Sequence, residues 1–202
     1  MRFVIALVVW IAAIAGAAEL STVVAHSVHN QVAVASFDAS TVTSTDARSL
    51  FRTTNFEKAL AVVRKHFGPG SQLERLVVYP GYLDATVVVS SGEVNVYVNA
   101  AGAYDPTSTS ATPSQNDPLI KLSRIKANVP AALGSRIATS GHVPRAALNY
   151  MIAENDSISH RLHWLVYIKK GYSAEYFQAP GTTGRLLVLK TNSKVGLEPV
   201  GR

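Results

Sequence analysis

One order of segments occurs twice in this 202-residue chain, and it restricts the fold more than any other feature. Asn55-Phe-Glu-Lys-Ala-Leu-Ala-Val-Val-Arg-Lys-His-Phe67 has apolar residues at 56, 59, 60, 63 and 67. That spacing predicts a helix with one apolar stripe, opened by Asn55 and stopped by Gly68-Pro69-Gly70. Three strand-like runs follow, Leu73 to Tyr79, Leu83 to Ser90 and Val94 to Val98, with Pro80-Gly81 and Ser91-Gly92 as the turns between them. Downstream, Asn128 precedes Val129-Pro-Ala-Ala-Leu-Gly-Ser-Arg-Ile137, with Pro130 in the tolerated first turn and Gly141 beyond the end. The runs Ala146 to Ile152, Leu162 to Ile168, Ala174 to Phe177 and Arg185 to Lys190 come next. A competing register would start the second helix at Val143-Pro144, because Ala146-Ala147-Leu148 also favours helix.

The two copies align with offsets that change only at turns. Asn55 and Leu60 match Asn128 and Leu133 at an offset of 73, and Leu83 and Ala100 match Leu162 and Ala179 at 79. Duplication with loop insertions gives this pattern, the largest insertion being Asn155-Asp-Ser-Ile-Ser159. A helix next to antiparallel strands must cover one face of them. The expected fold class is therefore α+β, an N-terminal membrane helix followed by two tandem helix-plus-antiparallel-sheet units. The organisation expected is a signal-anchor or signal peptide over 1–25, a stalk and linker over 26–50, a first unit over 51–105, a mobile linker over 106–118 and a second unit over 119–195. Leu119 to Ile125 is expected to return as a strand before the second helix.

Val96-Tyr97-Val98-Asn99-Ala100-Ala101-Gly102-Ala103-Tyr104 resembles the last strand and small-residue turn of PepSY-like domains, and Phe177-Gln178-Ala179 with Gly184-Arg185 echoes it. Tandem copies of such a unit are also similar in layout to the β-lactamase-inhibitor proteins. Asn99 and Gln178 stand where the family often has Asp. The resemblance spans residues 55–190 and implies extracytoplasmic binding or inhibition, with no catalytic residues.

Phe3 to Ala18 is an uncharged apolar run preceded by Arg2. Ala15-Gly16-Ala17 offers a small-x-small cleavage site, the mark of a signal peptide. The alternative is an uncleaved helix from Phe3 to about Val24, with apolar spacing continuing through Leu20, Val24, Val28 and Val32. Either reading places the remainder outside the cytoplasm, membrane-held through residues 3–24 or secreted. Residues 36–49 are rich in Ser and Thr and are expected to be a linker.

The chain has no cysteine, which excludes disulfides, thiolate metal sites and a cysteine nucleophile. Its net charge of +6 is uneven, with twelve Lys/Arg against four Asp/Glu in residues 121–202. Such a half suits an anionic surface, an envelope protein or a peptide, and export argues against nucleic acid. Trp164, Tyr167, Tyr172 and Tyr176 crowd the second copy beside Lys169, Lys170 and Arg185, and these seven are the candidate binding residues. His26 and His29 lie one helical turn apart without further ligands, and His160 and His163 have a spacing that separates them on a strand. Ser123-Arg-Ile-Lys126 has the Ser-x-x-Lys spacing of an acyl-enzyme but none of its companion motifs. No cofactor, metal or catalytic group is expected. The function expected is a membrane-tethered binding or inhibitor module, with a structural envelope scaffold and a hydrolase as alternatives.

Overall fold

The computed structural model describes residues 37–110, 118–172, 174–181, 187–190 and 198–199. Helix α1 (Thr53–Phe67) leads into β1 (Gln72–Val78), β2 (Tyr82–Val89), β3 (Gly92–Asn99) and β4 (Tyr104–Ser110). The short β5 (Ile120–Lys121) precedes helix α2 (Val129–Ser140), and β6 (Leu148–Asn155), β7 (Leu162–Ile168), β8 (Ala174–Pro180), β9 (Leu187–Lys190) and β10 (Glu198–Pro199) follow. The ten strands among the described residues belong to one antiparallel sheet, in the order β10-β9-β8-β7-β6-β1-β2-β3-β4, with β5 beside one end of β1.

This architecture corrects the expectation of two tandem helix-plus-sheet units behind a membrane helix. β1 does not end a sheet of its own. It pairs with β6 through Leu76–Ala153, Val77–Ile152 and Val78–Met151, so a single sheet runs through both halves. The physical reason is that a small sheet leaves an open edge of unpaired N–H and C=O groups, and joining two such edges satisfies both. No helix among the described residues is long and apolar enough to cross a membrane. The stretch 3–24, on which the membrane helix was expected, lies outside the described residues.

Period-two alternation assigns the two faces of the sheet. On one face Leu73, Leu76 and Val78 of β1, Leu83, Ala85 and Val87 of β2, Met151 and Ala153 of β6, and Trp164 and Val166 of β7 are buried. Both helices lie on that side. Phe56, Ala59, Leu60 and Val63 of α1 and Val129, Leu133 and Ile137 of α2 join the same apolar cluster. Phe56 meets Trp164 edge to face, with ring centroids 6.4 Å apart, so the first helix is anchored on a strand of the second half.

Local chemistry departs from expectation in four places. Asn55 lies inside the first turn of α1, and its Nδ2 donates to the carbonyls of Ala47 (2.8 Å) and Ser49 (3.0 Å). The Ser/Thr-rich stretch expected to be a linker is packed from Asp38 onward. Leu50 and Phe51 are fully buried, and Ser44 Oγ donates to the Arg145 carbonyl at 2.7 Å. Serine can enter a core in this way because its hydroxyl finds a backbone acceptor. Of the expected linker 106–118, residues up to Ser110 belong to β4 and 111–117 lie outside the described residues. The strand expected over Leu119 to Ile125 is β5 followed by a 3-10 turn, Leu122–Arg124.

Replacing Trp164, which is fully buried, by Ala should lower stability by about 3–5 kcal/mol. Leu165→Ala on the opposite face should cost clearly less. Urea unfolding of the two variants checks the assignment of faces, and equal losses would refute it.

Candidate binding face

The face turned away from the helices carries a row of six tyrosines. Tyr97 of β3, Tyr82 of β2, Tyr79 just after β1, Tyr150 of β6, Tyr167 of β7 and Tyr176 of β8 follow one another across the sheet. Register puts them there. Tyr150 faces Tyr167 and Tyr167 faces Tyr176 across neighbouring strands, while the Tyr79 amide donates to the Tyr82 carbonyl at 2.8 Å. Centroid separations are 5.0 Å for Tyr97–Tyr82, 4.4 Å for Tyr82–Tyr79, 5.3 Å for Tyr79–Tyr150, 4.6 Å for Tyr150–Tyr167 and 5.4 Å for Tyr167–Tyr176. With strands about 4.8 Å apart, the row crosses roughly 24 Å of sheet.

Ring orientation decides what the row can present. Tyr79–Tyr82 and Tyr150–Tyr167 are stacked, with interplanar angles of 18° and 16°. Facing rings cover one another, so these pairs offer a ligand their edges and hydroxyls more than their π-faces. Each cross-strand aromatic pair adds on the order of 0.5–1 kcal/mol to sheet stability. The half-buried rings hold their protons tightly. Burial, and then the neighbouring Tyr79, pushes the Tyr82 hydroxyl up to about 12. Burial also raises Tyr97, Tyr150 and Tyr167 above the ordinary tyrosine range. The row is thus a neutral band of rings tipped with hydroxyls.

Next to the tyrosines on the same face runs an aliphatic band, Val77 beside Ile152 and Ile152 beside Leu165. Asp84 flanks it on β2, and its carboxyl is raised by burial against the opposing pull of Arg75. Beyond it lies a polar band in which Glu154 faces His163. At the tyrosine end, a cleft of about 310 Å³ is lined by Tyr79, Gly81, Tyr82, Asn149 and Lys169 together with Ala39, Ser40, Val42 and Thr43. Gly81 is required there, because a Cβ on it would fall 2.0 Å from the Ala39 carbonyl oxygen.

The seven residues singled out in the sequence divide in the structure. Tyr167 and Tyr176 belong to the row. Trp164 is in the core, on the opposite face of β7. Lys169 lines the cleft at the tyrosine end, with its Nζ donating to the Ala146 carbonyl at 2.9 Å. Lys170 and Tyr172 are exposed in the turn between β7 and β8, and Arg185 lies outside the described residues. Tyr79, Tyr82, Tyr97 and Tyr150 complete the row and were not among the expected residues. For Tyr82 and Tyr97 the signal was present, since each stands at the polar parity of a strand whose other parity is apolar.

Ser123 and Lys126 are both exposed around the 3-10 turn, and His26 and His29 lie outside the described residues. Among the described residues no group of three His, Cys, Asp or Glu side chains could hold a metal ion. Asn99, in the stretch that resembles PepSY-like domains, closes the β3–β4 turn. Its Oδ1 accepts from the amides of Ala101 (3.0 Å) and Ala103 (2.9 Å). Compared with protein-family models, curated proteins and solved structures, the chain gives no match.

Folded Tyr82 keeps its proton to about 12, whereas an unfolded tyrosine releases it near about 10. Its contribution to stability is complete below the unfolded value and is lost as the pH rises through the folded one. Alkaline titration followed by tyrosinate absorbance should show a late-ionising class of tyrosines. Stability should fall across that window, and less so in Tyr82→Phe.

Proposed function

We propose that this protein is a non-catalytic binding module that works outside the cytoplasm and holds a polypeptide partner against the tyrosine row. The observation that carries this reading is the row itself, six tyrosines brought together from five strands and the turn after β1 on the face without helices. Tyrosine supplies large, rigid contact area at low entropic cost, and its hydroxyl bonds equally to backbone and side-chain groups. A polypeptide fits better than a sugar polymer, because sugar rings stack on open π-faces and the paired rings here cover theirs. The aliphatic band of Val77, Ile152 and Leu165 adds apolar area beside the row. Placement outside the cytoplasm rests on the apolar run Phe3 to Ala18 and on the absence of cysteine.

Selection of a random peptide library on the immobilised full chain should enrich binders that contact the row. Their affinity should fall roughly tenfold or more when Tyr150 and Tyr167 are both replaced by Ala, the loss expected of aromatic anchors. Enriched peptides indifferent to that double substitution would remove the row as the binding surface.

A further inference from the structure

Charge is sorted between the helices and the strands of this molecule. Residues 53–67 and 120–140, which form α1 and the run from β5 through α2, hold seven Lys/Arg and one Asp/Glu. Residues 72–110 and 148–180, which form β1–β4 and β6–β8, hold four Lys/Arg and seven Asp/Glu. Both helices cover one face of the sheet, the face opposite the tyrosine row.

Helical period aims the α1 lysines outward. Phe56, Ala59, Leu60 and Val63 are buried against the sheet. Lys58 and Lys65 stand exposed on the opposite side of the helix, about 10 Å apart along its axis. The 3-10 turn Leu122–Arg124 lies alongside, where Arg64 Nη2 donates to the Ile125 carbonyl at 3.4 Å. Leu122 and Ile125 are buried in the common core, which leaves Lys121, Arg124 and Lys126 exposed around the turn. Glu57, the single acid of these segments, already accepts from Arg64 Nη1 at 2.8 Å. Five exposed cations remain, Lys58, Lys65, Lys121, Arg124 and Lys126, none of them ion-paired among the described residues.

We infer that the helix side docks this protein on a bilayer of anionic phospholipid, with the tyrosine row turned away from the lipid. Four of the five cations are lysines spread over two segments. A strongly hydrated ammonium on a flexible stem suits diffuse phosphate charge and lacks the fork that recognises one bound anion. A protein interface would call for aromatic anchors. The outward positions among these cations are instead small or polar, as at Thr54, Ala61 and Ser123, and the exposed large apolar side chains Ile158 and Tyr172 lie in turns between strands. Attachment is therefore electrostatic, each basic residue near the anionic surface strengthening it about fivefold within a Debye length of about 8 Å. Docking by this side also holds the acidic strands away from lipid of the same sign. The inference goes beyond polypeptide binding on the row and does not depend on it.

Sedimentation of the full chain with vesicles tests the docking, with phosphatidylcholine alone set against an equimolar mixture with phosphatidylglycerol. At low salt the mixture should bind at least about tenfold more strongly, and about 1 M sodium chloride, where the Debye length is about 3 Å, should remove the excess. The variant carrying Lys58→Gln, Lys65→Gln, Lys121→Gln, Arg124→Gln and Lys126→Gln should lose the excess. Arg161→Gln with Lys170→Gln, in the turns between strands, should keep it. If the five-site variant fails to fold by circular dichroism, Lys58→Gln with Lys65→Gln, both on an exposed helix face, reads the same charge. The apolar run Phe3 to Ala18 is common to every variant, so any insertion it makes cancels in the comparison. Four results would overturn the inference: equal binding to the two vesicles, an excess indifferent to salt, an excess kept by the folded helix-side variant, or its loss in the Arg161 and Lys170 variant. Binding of polyglutamate without an excess on anionic vesicles would likewise overturn it, in favour of an acidic protein.

Discussion

The pairing of β1 with β6 is the contact on which the rest of the molecule depends. Three facing pairs, Leu76–Ala153, Val77–Ile152 and Val78–Met151, join strands that begin 76 residues apart in the chain. This pairing closes two otherwise open sheet edges. On the helix side it places Leu76 and Val78 beside Met151 and Ala153, so one apolar cluster serves both helices. On the other side it brings Tyr79 to Tyr150 and makes one row out of tyrosines from both halves. A slip of one residue would exchange the faces, turning the tyrosines into the core and the aliphatics out.

The outer face is sorted along the strands by residue chemistry. Tyrosine, then aliphatic, then polar side chains occupy successive outward positions, as in Tyr150, Ile152 and Glu154 of β6. The same sequence in reverse, His163, Leu165 and Tyr167, runs along the antiparallel neighbour β7. Such order is not needed for burial, which the opposite parity already provides. It gives the sheet a direction, with a neutral hydroxyl-tipped end and a polar end.

Much of the element order could be read from the chain, and the way the elements assemble could not. The stripe at 56, 59, 60 and 63 specifies α1 because a helix repeats on that period, and those residues are the ones it buries. Gly68 and the turn residues Pro80-Gly81 mark true breaks, and the expected turn at 91–92 falls one residue earlier, at 90–91. The joining of the halves through β1 and β6 was not legible, because pairing between distant edges leaves no local signal in periodicity. The packed stretch after Asp38 was missed for a related reason, since Ser44 and Ser49 become core residues only through tertiary contacts. At the site, attention to the aromatic-rich second half found Tyr167 and Tyr176. It also drew in Trp164, whose parity belongs to the core. Parity within each strand, more than aromatic density, separates the row from the core.

The five contacts of the row are not equal. Stacked pairs at 4.4 Å and 4.6 Å flank the Tyr79–Tyr150 contact, which is wider at 5.3 Å and tilted by 37°. That looser contact sits at the seam where three residue pairs connect the halves. A ligand laid along the row would therefore act as a splint, gripping rings on both sides of the narrowest backbone connection beneath the row. Its binding free energy also resists shear between the halves. The occupied protein is then mechanically stiffer than the empty one, without any rearrangement of its own strands.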